Sequence, residues 1–327
     1  MNTILKEKIT DKCAWIGQDI ADKTDWIHHL SAHTLNVLDQ GLKVLELTQL
    51  KAPNFSKEDV VIHDEQFLNE MAAIAEELEN GYGFLLIRGL DPHKYNETQL
   101  SSLYYLIGVY LGLPVTQNAR GDLLGHVQNV GDINNKNTRV YETNLYLPYH
   151  TDMSDVVGLL SIRKAKQGGL SSVVSFSTVY NEILEKYPEY LSYFYHPSYY
   201  AHLGEALPSL SPIFSYWDGK LAGRYLRAYI ELGHEIMNVP VSRVQKEALD
   251  IFDHVSQDPR LRLDMMLEPG DVQFCNNYTV MHSRTSFEDF EQLGARRKLL
   301  RLWLKMDNAR ALAPDFPGRN GIPAAGA

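Results

Sequence analysis

The sequence has few cysteines, no excess of positive charge and no long apolar run, and each absence excludes a class of protein. Two cysteines among 327 residues are too few for a disulfide framework or a cysteine-rich zinc module. The formal net charge of −10 disfavours binding to nucleic acid or to anionic membranes through electrostatic attraction. The charged first eight residues do not resemble a signal peptide, and no apolar stretch approaches the roughly 20 residues of a membrane span. We therefore expect a cytoplasmic protein whose partner is a small-molecule substrate, and a homo-oligomeric state stays open.

The chain also lacks internal repeats and the regular alternation of strands and helices that a doubly wound parallel sheet needs. Short apolar strands bounded by Gly and Pro predict a jelly roll supported by helices, which is an α+β fold. We expect one catalytic domain over residues 1–327. It divides into a mainly helical support, a jelly-roll core, an insertion within that core and an irregular surface tail: 1–80, 81–306, about 177–260 and 307–327.

Local patterns predict the individual elements. Periodic apolar residues predict helices, over 67–80, 100–113, 179–187 and 242–255. Apolar segments bounded by turn residues predict strands, over 84–88, 125–130, 156–162, 172–176, 213–214, 224–226, 271–276 and 298–306. Residues 1–50 are expected to form short amphipathic helices in which Trp15 and Trp26 pack internally. His28 and His29 are neighbours on such a helix and face different directions, so we interpret them as surface residues.

The stretch most informative about chemistry is Tyr149-His150-Thr151-Asp152. Side chains two positions apart on an extended segment point to the same side, so His150 and Asp152 can bind one metal ion. His282, which follows a Pro-Gly-Asp turn and a strand, is the best candidate for a third ligand. Two His and one carboxylate on one face of a metal form the facial triad of non-haem Fe(II) oxygenases.

Other interpretations of the histidines are weaker. His63-Asp64-Glu65 also pairs a His with carboxylates, but it lies in a polar stretch before a helix and has no strand pattern. His150 taken alone could be a polar residue near a turn. Agreement with His282 and with the basic residues that follow it favours the metal site.

A cluster of basic residues follows His282. On a strand, Arg297, Leu299 and Arg301 share a face, so both guanidinium groups can point into the barrel that holds the metal. A buried Arg needs an anionic partner, and the far carboxylate of 2-oxoglutarate meets that need through a bidentate pair with Arg297. A solvated basic strand is the alternative for this cluster considered by itself.

These motifs together resemble the TauD/TfdA family of Fe(II)- and 2-oxoglutarate-dependent dioxygenases, which includes clavaminate synthase-like proteins. The resemblance extends from about Gly81 to Met306. The residues that carry it are His150-Thr151-Asp152, Gly168-Gly169-Leu170-Ser171, His282, Arg297 and Arg301. It implies a double-stranded β-helix core and a reaction that converts 2-oxoglutarate to succinate and CO2 while a substrate C–H bond is oxidised, most simply by hydroxylation.

The resemblance also implies roles for individual residues. His150, Asp152 and His282 would bind Fe²⁺, Arg297 would hold the far carboxylate of 2-oxoglutarate, and Ser171 would help through its hydroxyl. Arg301 would lie nearer the metal and contact the near carboxylate or an anionic substrate. Three protein ligands leave positions for the keto acid and for O2. Related halogenases replace the carboxylate with a small residue, so Asp152 argues against halogenation.

The organic substrate is less defined. Gln117, Asn118, His126 and Arg224 are candidate substrate contacts beside Arg301, although each is as well explained by a structural role. If Arg301 and Arg224 both face the pocket, a small carboxylate, sulfonate or amino acid is favoured. The Tyr-rich segment 190–200 could form an aromatic cage for a quaternary ammonium, but we prefer to assign it to the core or a lid. The polar run 131–143 just before the metal motif is predicted to be a mobile loop; such loops often cover oxygenase sites, and whether this one closes stays open.

Three other functions remain open on the sequence. A desaturase or cyclase would use the same iron site, a binding or sensor protein would keep the barrel without turnover, and a cupin-like metal enzyme would not use 2-oxoglutarate.

Overall fold

The computed structural model of the protein describes residues 4–130, 142–202, 205 and 207–323. The loop predicted over residues 131–143 therefore lies mostly outside the described residues. The helices are α1 (Gly17–Ile20), α2 (Ala32–Thr48), α3 (Glu65–Asn80), α4 (Glu97–Leu111), α5 (Phe176–Lys186), α6 (Arg227–Ile236) and α7 (Arg243–Ser256). The strands are β1 (Ile27–His29), β2 (Phe84–Arg88), β3 (Gly112–Pro114), β4 (Leu124–Gln128), β5 (Leu147–His150), β6 (Val156–Arg163), β7 (Gln167–Gly168), β8 (Ser171–Ser175), β9 (Ser198–Tyr200), β10 (Ser209–Ser211), β11 (Phe214–Trp217), β12 (Lys220–Gly223), β13 (Leu263–Met265), β14 (Val272–Asn276), β15 (Val280–Arg284), β16 (Phe287–Glu288) and β17 (Lys298–Met306). Short 3₁₀ helices span Pro188–Tyr195 and Leu293–Ala295.

Two sheets form the centre of this mixed α+β fold. In the described chain, the larger sheet has seven strands in the order β1-β2-β14-β6-β17-β3, with β4 also paired to β17. The smaller sheet has four strands in the order β13-β8-β15-β5. Strand β1 runs parallel to β2, while β14 and β17 each run antiparallel to β6. Strands distant along the chain are neighbours, so the sheets bring the two halves of the sequence together.

Side-chain alternation along the large sheet divides its two faces between different cores. On β17, Leu300, Leu302 and Leu304 pack with helices α2, α3 and α4. The alternate residues Leu299 and Trp303 pack in a core that contains residues of both sheets. Because successive side chains on a strand point to opposite faces, this one strand presents an apolar face to the helices and a mixed face to the space between the sheets.

Helices α5 and α7 pack against one face of the small sheet. Val174 of β8 and Met281 of β15 belong to a third core with residues of α5 and α7. Helix α7 begins as predicted, because Ser242 accepts a hydrogen bond from the Gln245 backbone while the Gln245 side chain returns one to the Ser242 backbone. This capping box satisfies two amide groups that the helix itself leaves unpaired.

The N-terminal prediction was wrong in part. One helix, α2, has 17 residues, and His28 and His29 lie on β1 and not on a helix. His28 Nε2 lies 2.8 Å from Glu70 Oε1, and His29 is exposed. Trp15 and Trp26 are buried, as expected. Among the described residues, no helix is long and apolar enough to cross a bilayer.

Two further corrections lie near the metal motif. Residues 224–226, predicted as a strand, follow the end of β12. The tail is irregular as predicted, but it is not confined to the surface, since Phe316 and Ile322 are buried. Sequence patterns gave no sign of this burial, because isolated apolar residues among Pro and Gly have no periodicity.

Candidate metal centre

Strand pairing brings the two histidines of the predicted triad together. His282 on β15 and His150 on β5 are direct partners across the antiparallel ladder. Side chains at directly paired positions lie on the same face of a sheet, and the two imidazole centroids are 4.2 Å apart. Both residues are buried. The sheet thus places two imidazole rings close enough to bind the same metal ion.

Asp152 completes the group from just beyond the end of β5. Its backbone N–H donates to Asn277 Oδ1 at 3.0 Å, and the N–H of Thr151 donates to the Tyr225 carbonyl at 2.8 Å. The Asp152 side chain is 8% exposed. One ligand atom from each of His150, Asp152 and His282 lies within 4.8 Å of the others, a spacing that one ion could bridge. Elsewhere in the described ranges, no other set of three His, Cys, Asp or Glu side chains is this close.

The rival motif has a structural role. The Asp64 side chain accepts a hydrogen bond from the Phe67 amide at 2.8 Å and caps α3. Its carboxylate also lies 2.8 Å from His33 Nε2. A carboxylate that caps a helix is already committed, so this site is not the metal centre.

Neighbouring groups orient two of the ligands. His150 Nδ1 lies 2.8 Å from the carbonyl of Pro148, and because a carbonyl can only accept, Nδ1 carries the proton and Nε2 keeps a lone pair for a metal. The indole N–H of Trp303 donates to Asp152 Oδ2 at 2.9 Å. Such contacts set the ring tautomer and the carboxylate orientation before a metal arrives.

The protonation states suit a divalent cation. Burial lowers the pKa of His150, and burial together with the neighbouring His150 lowers the pKa of His282 to about 3. Burial opposes ionisation of Asp152, but the Arg301 guanidinium and the hydrogen bond from Trp303 hold the pKa of this carboxyl below its usual range. Two neutral imidazoles and a carboxylate are the protonation states in which these side chains bind metals.

A cavity lies beside the two histidines. Its lining includes the following residues: Val127, Leu147, Leu159, Ser171, Leu267, Ser283, Arg284, Arg297, Leu299 and Arg301. A cavity of about 570 Å³ elsewhere is lined by residues such as Lys8, Lys12 and Lys220. We assign the site by its chemistry and not by its volume, because only the smaller cavity adjoins the ligand triad.

Arg297 presents a nearly unsolvated charge to this cavity. The residue is 6% exposed, and no carboxylate of the described residues lies within ion-pair distance of its guanidinium. Burial, reinforced by Arg284 and only partly offset by Asp289, lowers the pKa of Arg297 to about 9. A Cβ on Gly169, whose φ is +74°, would lie only 3.1 Å from Arg297 Nε. The Gly168-Gly169 turn therefore leaves room for the guanidinium.

Ser171 and Arg301 line the same cavity. The Ser171 hydroxyl donates to Gln273 Oε1 at 2.7 Å, so its oxygen keeps acceptor capacity. Arg301 Nη1 lies 3.6 Å from Asp152 Oδ1, and its guanidinium lies 4.8 Å from the centroid of the Trp303 ring. Arg301 therefore lies beside a metal ligand, where it could contact a group bound next to the metal.

The remaining candidate substrate contacts have different surroundings in the structure. Gln117 is buried and supports Arg301, since its Oε1 accepts from Arg301 Nε at 2.9 Å and its amide donates to the Arg301 carbonyl at 2.7 Å. Asn118 shapes its own loop by hydrogen bonds to Arg120 and Asp122. His126 is exposed, whereas its neighbour on β4 lines the cavity. A strand turns alternate residues away from a site, so His126 faces outwards.

Arg224 does not line this cavity. It is 5% exposed and donates to Ser211 Oγ at 2.8 Å and to the carbonyl of Pro317.

Sequence reasoning missed Trp303, Asn277 and Arg284 as residues of the site. Trp303 could have been found, because it is two positions from Arg301 on one strand, but the contact of Asn277 with the metal segment is purely tertiary.

Comparisons with known proteins identify relatives of this chain. A family model described as taurine catabolism dioxygenase TauD, TfdA family, matches residues 44–303. The FR-33289 synthase of Streptomyces rubellomurinus is 30% identical, over 95% of this chain and 94% of its own.

Solved structures agree in fold. An asparagine oxygenase in complex with Fe(II), 3-hydroxyasparagine and succinate has a TM-score of 0.67 at 15% identity, over 86% of this chain and 94% of its own. The non-haem iron oxygenase OrfP in complex with Fe and alpha-ketoglutaric acid has a TM-score of 0.63 at 16% identity, over 88% and 99%. With the family match and the His-Asp-His group, these findings confirm the predicted resemblance. The chain belongs to the TauD/TfdA family and is an Fe(II)- and 2-oxoglutarate-dependent dioxygenase.

Proposed function

We propose that this protein hydroxylates a C–H bond of a small, polar, anionic or amino-acid-like metabolite. One O2 is consumed, one oxygen atom enters the substrate, and 2-oxoglutarate becomes succinate and CO2. The observation that supports this most strongly is the buried guanidinium of Arg297, which has no carboxylate partner in the described chain and lines one cavity with His150 and His282. A buried cation without an ion-pair partner is costly, and a cosubstrate carboxylate would supply that partner.

The residues of the site fit the groups that the family uses. His150, Asp152 and His282 would hold ferrous iron, and Arg297 with Ser171 would hold the far carboxylate of 2-oxoglutarate. When bound, iron and 2-oxoglutarate supply the activation of O2. The protein supplies orientation: Trp303 holds the Asp152 carboxylate, and Pro148 holds the His150 ring. The apolar lining around these groups would exclude water from the reacting centre.

Arg301 is the residue we assign to the substrate. Gln117 fixes its guanidinium within 3.6 Å of Asp152 Oδ1, so an anionic group bound there would lie beside the iron. Complexes of the similar solved structures contain 3-hydroxyasparagine in one case and (3S)-hydroxy-L-Arg in the other. Both compounds are amino acids that carry a carboxylate, which supports the same class of substrate here.

We also propose the finer fold and location. The two facing sheets fit a double-stranded β-helix within a single catalytic domain, with residues 1–80 as its helical support and about 177–260 as an insertion. Cys13 and Cys275 are both free, which fits a reducing cytoplasm.

Anaerobic titration tests the cosubstrate assignment. Metal-free protein receives Fe(II) and then 2-oxoglutarate under argon, and we expect the weak visible charge-transfer band of the keto-acid chelate. A substrate panel of amino acids and small organic acids is then screened for 2-oxoglutarate-dependent succinate formation. Absence of the band in fully metallated protein would refute the cosubstrate assignment. Binding of panel compounds without succinate release would favour a non-catalytic sensor.

A further inference from the structure

A second group of basic side chains lies outside the cavity of the metal centre. Arg224 is 5% exposed and His202 is also 5% exposed. The Arg319 side chain is 17% exposed. His202 Nε2 lies 2.9 Å from Ser209 Oγ, and Arg319 donates to the same hydroxyl. Arg224 and Arg319 both act, after burial, to lower the pKa of His202 to about 3. The three side chains therefore form one electrostatic unit, named here the basic cluster.

The basic cluster holds more positive charge than its surroundings neutralise. No carboxylate in the described part of the chain lies within ion-pair distance of Arg224. Arg319 pairs with Glu205 at 2.9 Å, but the Glu205 side chain is 38% exposed and lies at the rim. Burial lowers the pKa of Arg224 to about 10. Two guanidinium groups and one accessible carboxylate leave a net positive charge in a poorly solvated place, which is unfavourable without an anion.

Donors within the basic cluster are also left without partners. His202 Nδ1 and Arg319 Nε are buried, and no hydrogen-bond partner for them occurs among the described residues. Arg224 uses two donors, on Ser211 and Pro317, of the five that a guanidinium carries. Buried polar atoms in proteins are nearly always satisfied. Unused donors of three side chains at one place therefore point to an acceptor-rich ligand.

The basic cluster is attached directly to the metal-binding segment. Arg224 precedes Tyr225, whose carbonyl accepts from the Thr151 N–H at 2.8 Å. The tail that carries Arg319 is joined to the same segment, because the Gly321 N–H donates to the Met153 carbonyl at 2.7 Å. Thr151 and Met153 flank Asp152, so both arginines are anchored next to a metal ligand.

Tyr200 contacts the basic cluster. Its ring stacks on His202, with centroids 4.9 Å apart and 28° between the planes. Burial raises the pKa of the Tyr200 hydroxyl, Arg224 and Arg319 lower it, and the Asp152 carboxylate raises it. The hydroxyl is thus within electrostatic reach of both the basic cluster and the metal ligands.

We propose that the basic cluster of His202, Arg224 and Arg319 is a substrate subsite that binds a terminal oxyanion: a carboxylate, sulfonate or phosphonate. It rests on the proposed function, because it makes the ligand the organic substrate of the iron site. The oxyanion would accept from both guanidinium groups and from His202 Nδ1–H, since charge-assisted and bidentate bonds to such groups are the strong ones. The remainder of the molecule would extend past Tyr200 and place a C–H bond beside the iron.

A structural role for Arg224 makes a different prediction. Its guanidinium lies 4.2 Å from the centroid of the Phe316 ring and could serve only to anchor the tail. In that case loss of Arg224 would lower stability but would change no anion affinity. Anion binding separates the two explanations.

The experiment is calorimetric titration of metal-free protein with methylphosphonate, methanesulfonate and acetate as separate probes. The variants are Arg224→Gln and Arg319→Gln, with Arg163→Gln as the control, and Arg297→Gln shows whether a probe binds at the cosubstrate position instead. Arg163 pairs with Glu97 on another part of the surface, and Arg297 is assigned to 2-oxoglutarate. We expect at least one probe to bind wild-type protein and to bind Arg224→Gln and Arg319→Gln at least about tenfold more weakly, because charge-assisted hydrogen bonds are lost. Arg163→Gln should retain binding within about twofold.

The ranking of the three probes identifies the oxyanion. Absence of binding of every probe to wild-type protein, or a loss confined to Arg297→Gln, would overturn the subsite. If Arg224→Gln fails to fold, the more exposed Arg319→Gln decides alone. The charge-transfer band with Fe(II) and 2-oxoglutarate is measured in the same proteins. A normal band with unaltered anion binding in the variants refutes the subsite alone, whereas a missing band in wild-type protein refutes the proposed cosubstrate.

Discussion

Substitution of Arg297 by Gln should have opposite effects on cosubstrate binding and on stability. Arg297 is buried, stacks 5.2 Å from the centroid of the Phe287 ring and has no carboxylate partner among the described residues. Removing one partner of a buried, hydrogen-bonded charge pair costs about 2–5 kcal/mol. At 1.4 kcal/mol for each factor of ten, the dissociation constant for 2-oxoglutarate should rise by roughly 30-fold to several thousand-fold.

The ligand-free protein should behave differently. Burial opposes the charge of Arg297, as its lowered pKa indicates, so a neutral amide should leave the free energy of unfolding unchanged or higher. Anaerobic titration of the charge-transfer band measures the first effect, and urea denaturation measures the second. Arg296→Gln is the matched control, because that side chain donates to the Phe290 and Asn129 carbonyls outside the cavity. Equal 2-oxoglutarate affinity in wild-type protein and Arg297→Gln would refute the reasoning.

Three further predictions concern the metal site and its supports. Trp303→Phe removes the donor to Asp152 Oδ2 and should weaken Fe(II) binding about 10- to 100-fold. Titration with iron measures this affinity, and an unchanged value would contradict an orienting role of Trp303. Gln117→Leu frees Arg301 and should raise the KM of the organic substrate while the charge-transfer band persists, whereas loss of the band would assign Arg301 to the cosubstrate. The metal-free protein should lose stability as pH falls from about 6.5 towards 3. Burial lowers the pKa of His282 to about 3 in the folded protein, whereas its pKa in the unfolded chain is near 6.5. Between these values the unfolded chain binds a proton that the folded protein does not, so acid favours unfolding. Urea denaturation at a series of pH values should show a shallower decline for His282→Gln, and equal slopes would contradict the assignment.

Features that depend on a few neighbouring residues could be predicted from the sequence. His-x-Asp places two ligand types close together for any extended backbone, and the spacing of Arg297 and Arg301 places them on one side of a strand. The alternation of β17, the capping box at Ser242 and the helical period of α3 were likewise visible in the sequence. In each case the cause acts over a few residues, so no knowledge of the rest of the fold is needed.

Other features could not be predicted, because they depend on contacts between distant segments. Gln117 looked like a substrate contact, but its partner is Arg301, 184 positions away. The tail looked like a surface segment, yet Phe316 is buried beside Arg224. No periodic pattern predicts such contacts, since they form only when the sheets and the helices that pack on them have assembled.

The sequence by itself determined which groups are available to bind iron and an anionic cosubstrate, since residue type sets ligand chemistry and charge. Only the tertiary structure decided that His282 lies directly opposite His150, that Arg297 has no carboxylate partner in the described chain, and that Arg224 and Arg319 meet His202 beside the metal segment. Strand pairing and burial produce those relations. They turn ordinary side chains into a site by removing water and counter-charges from around them.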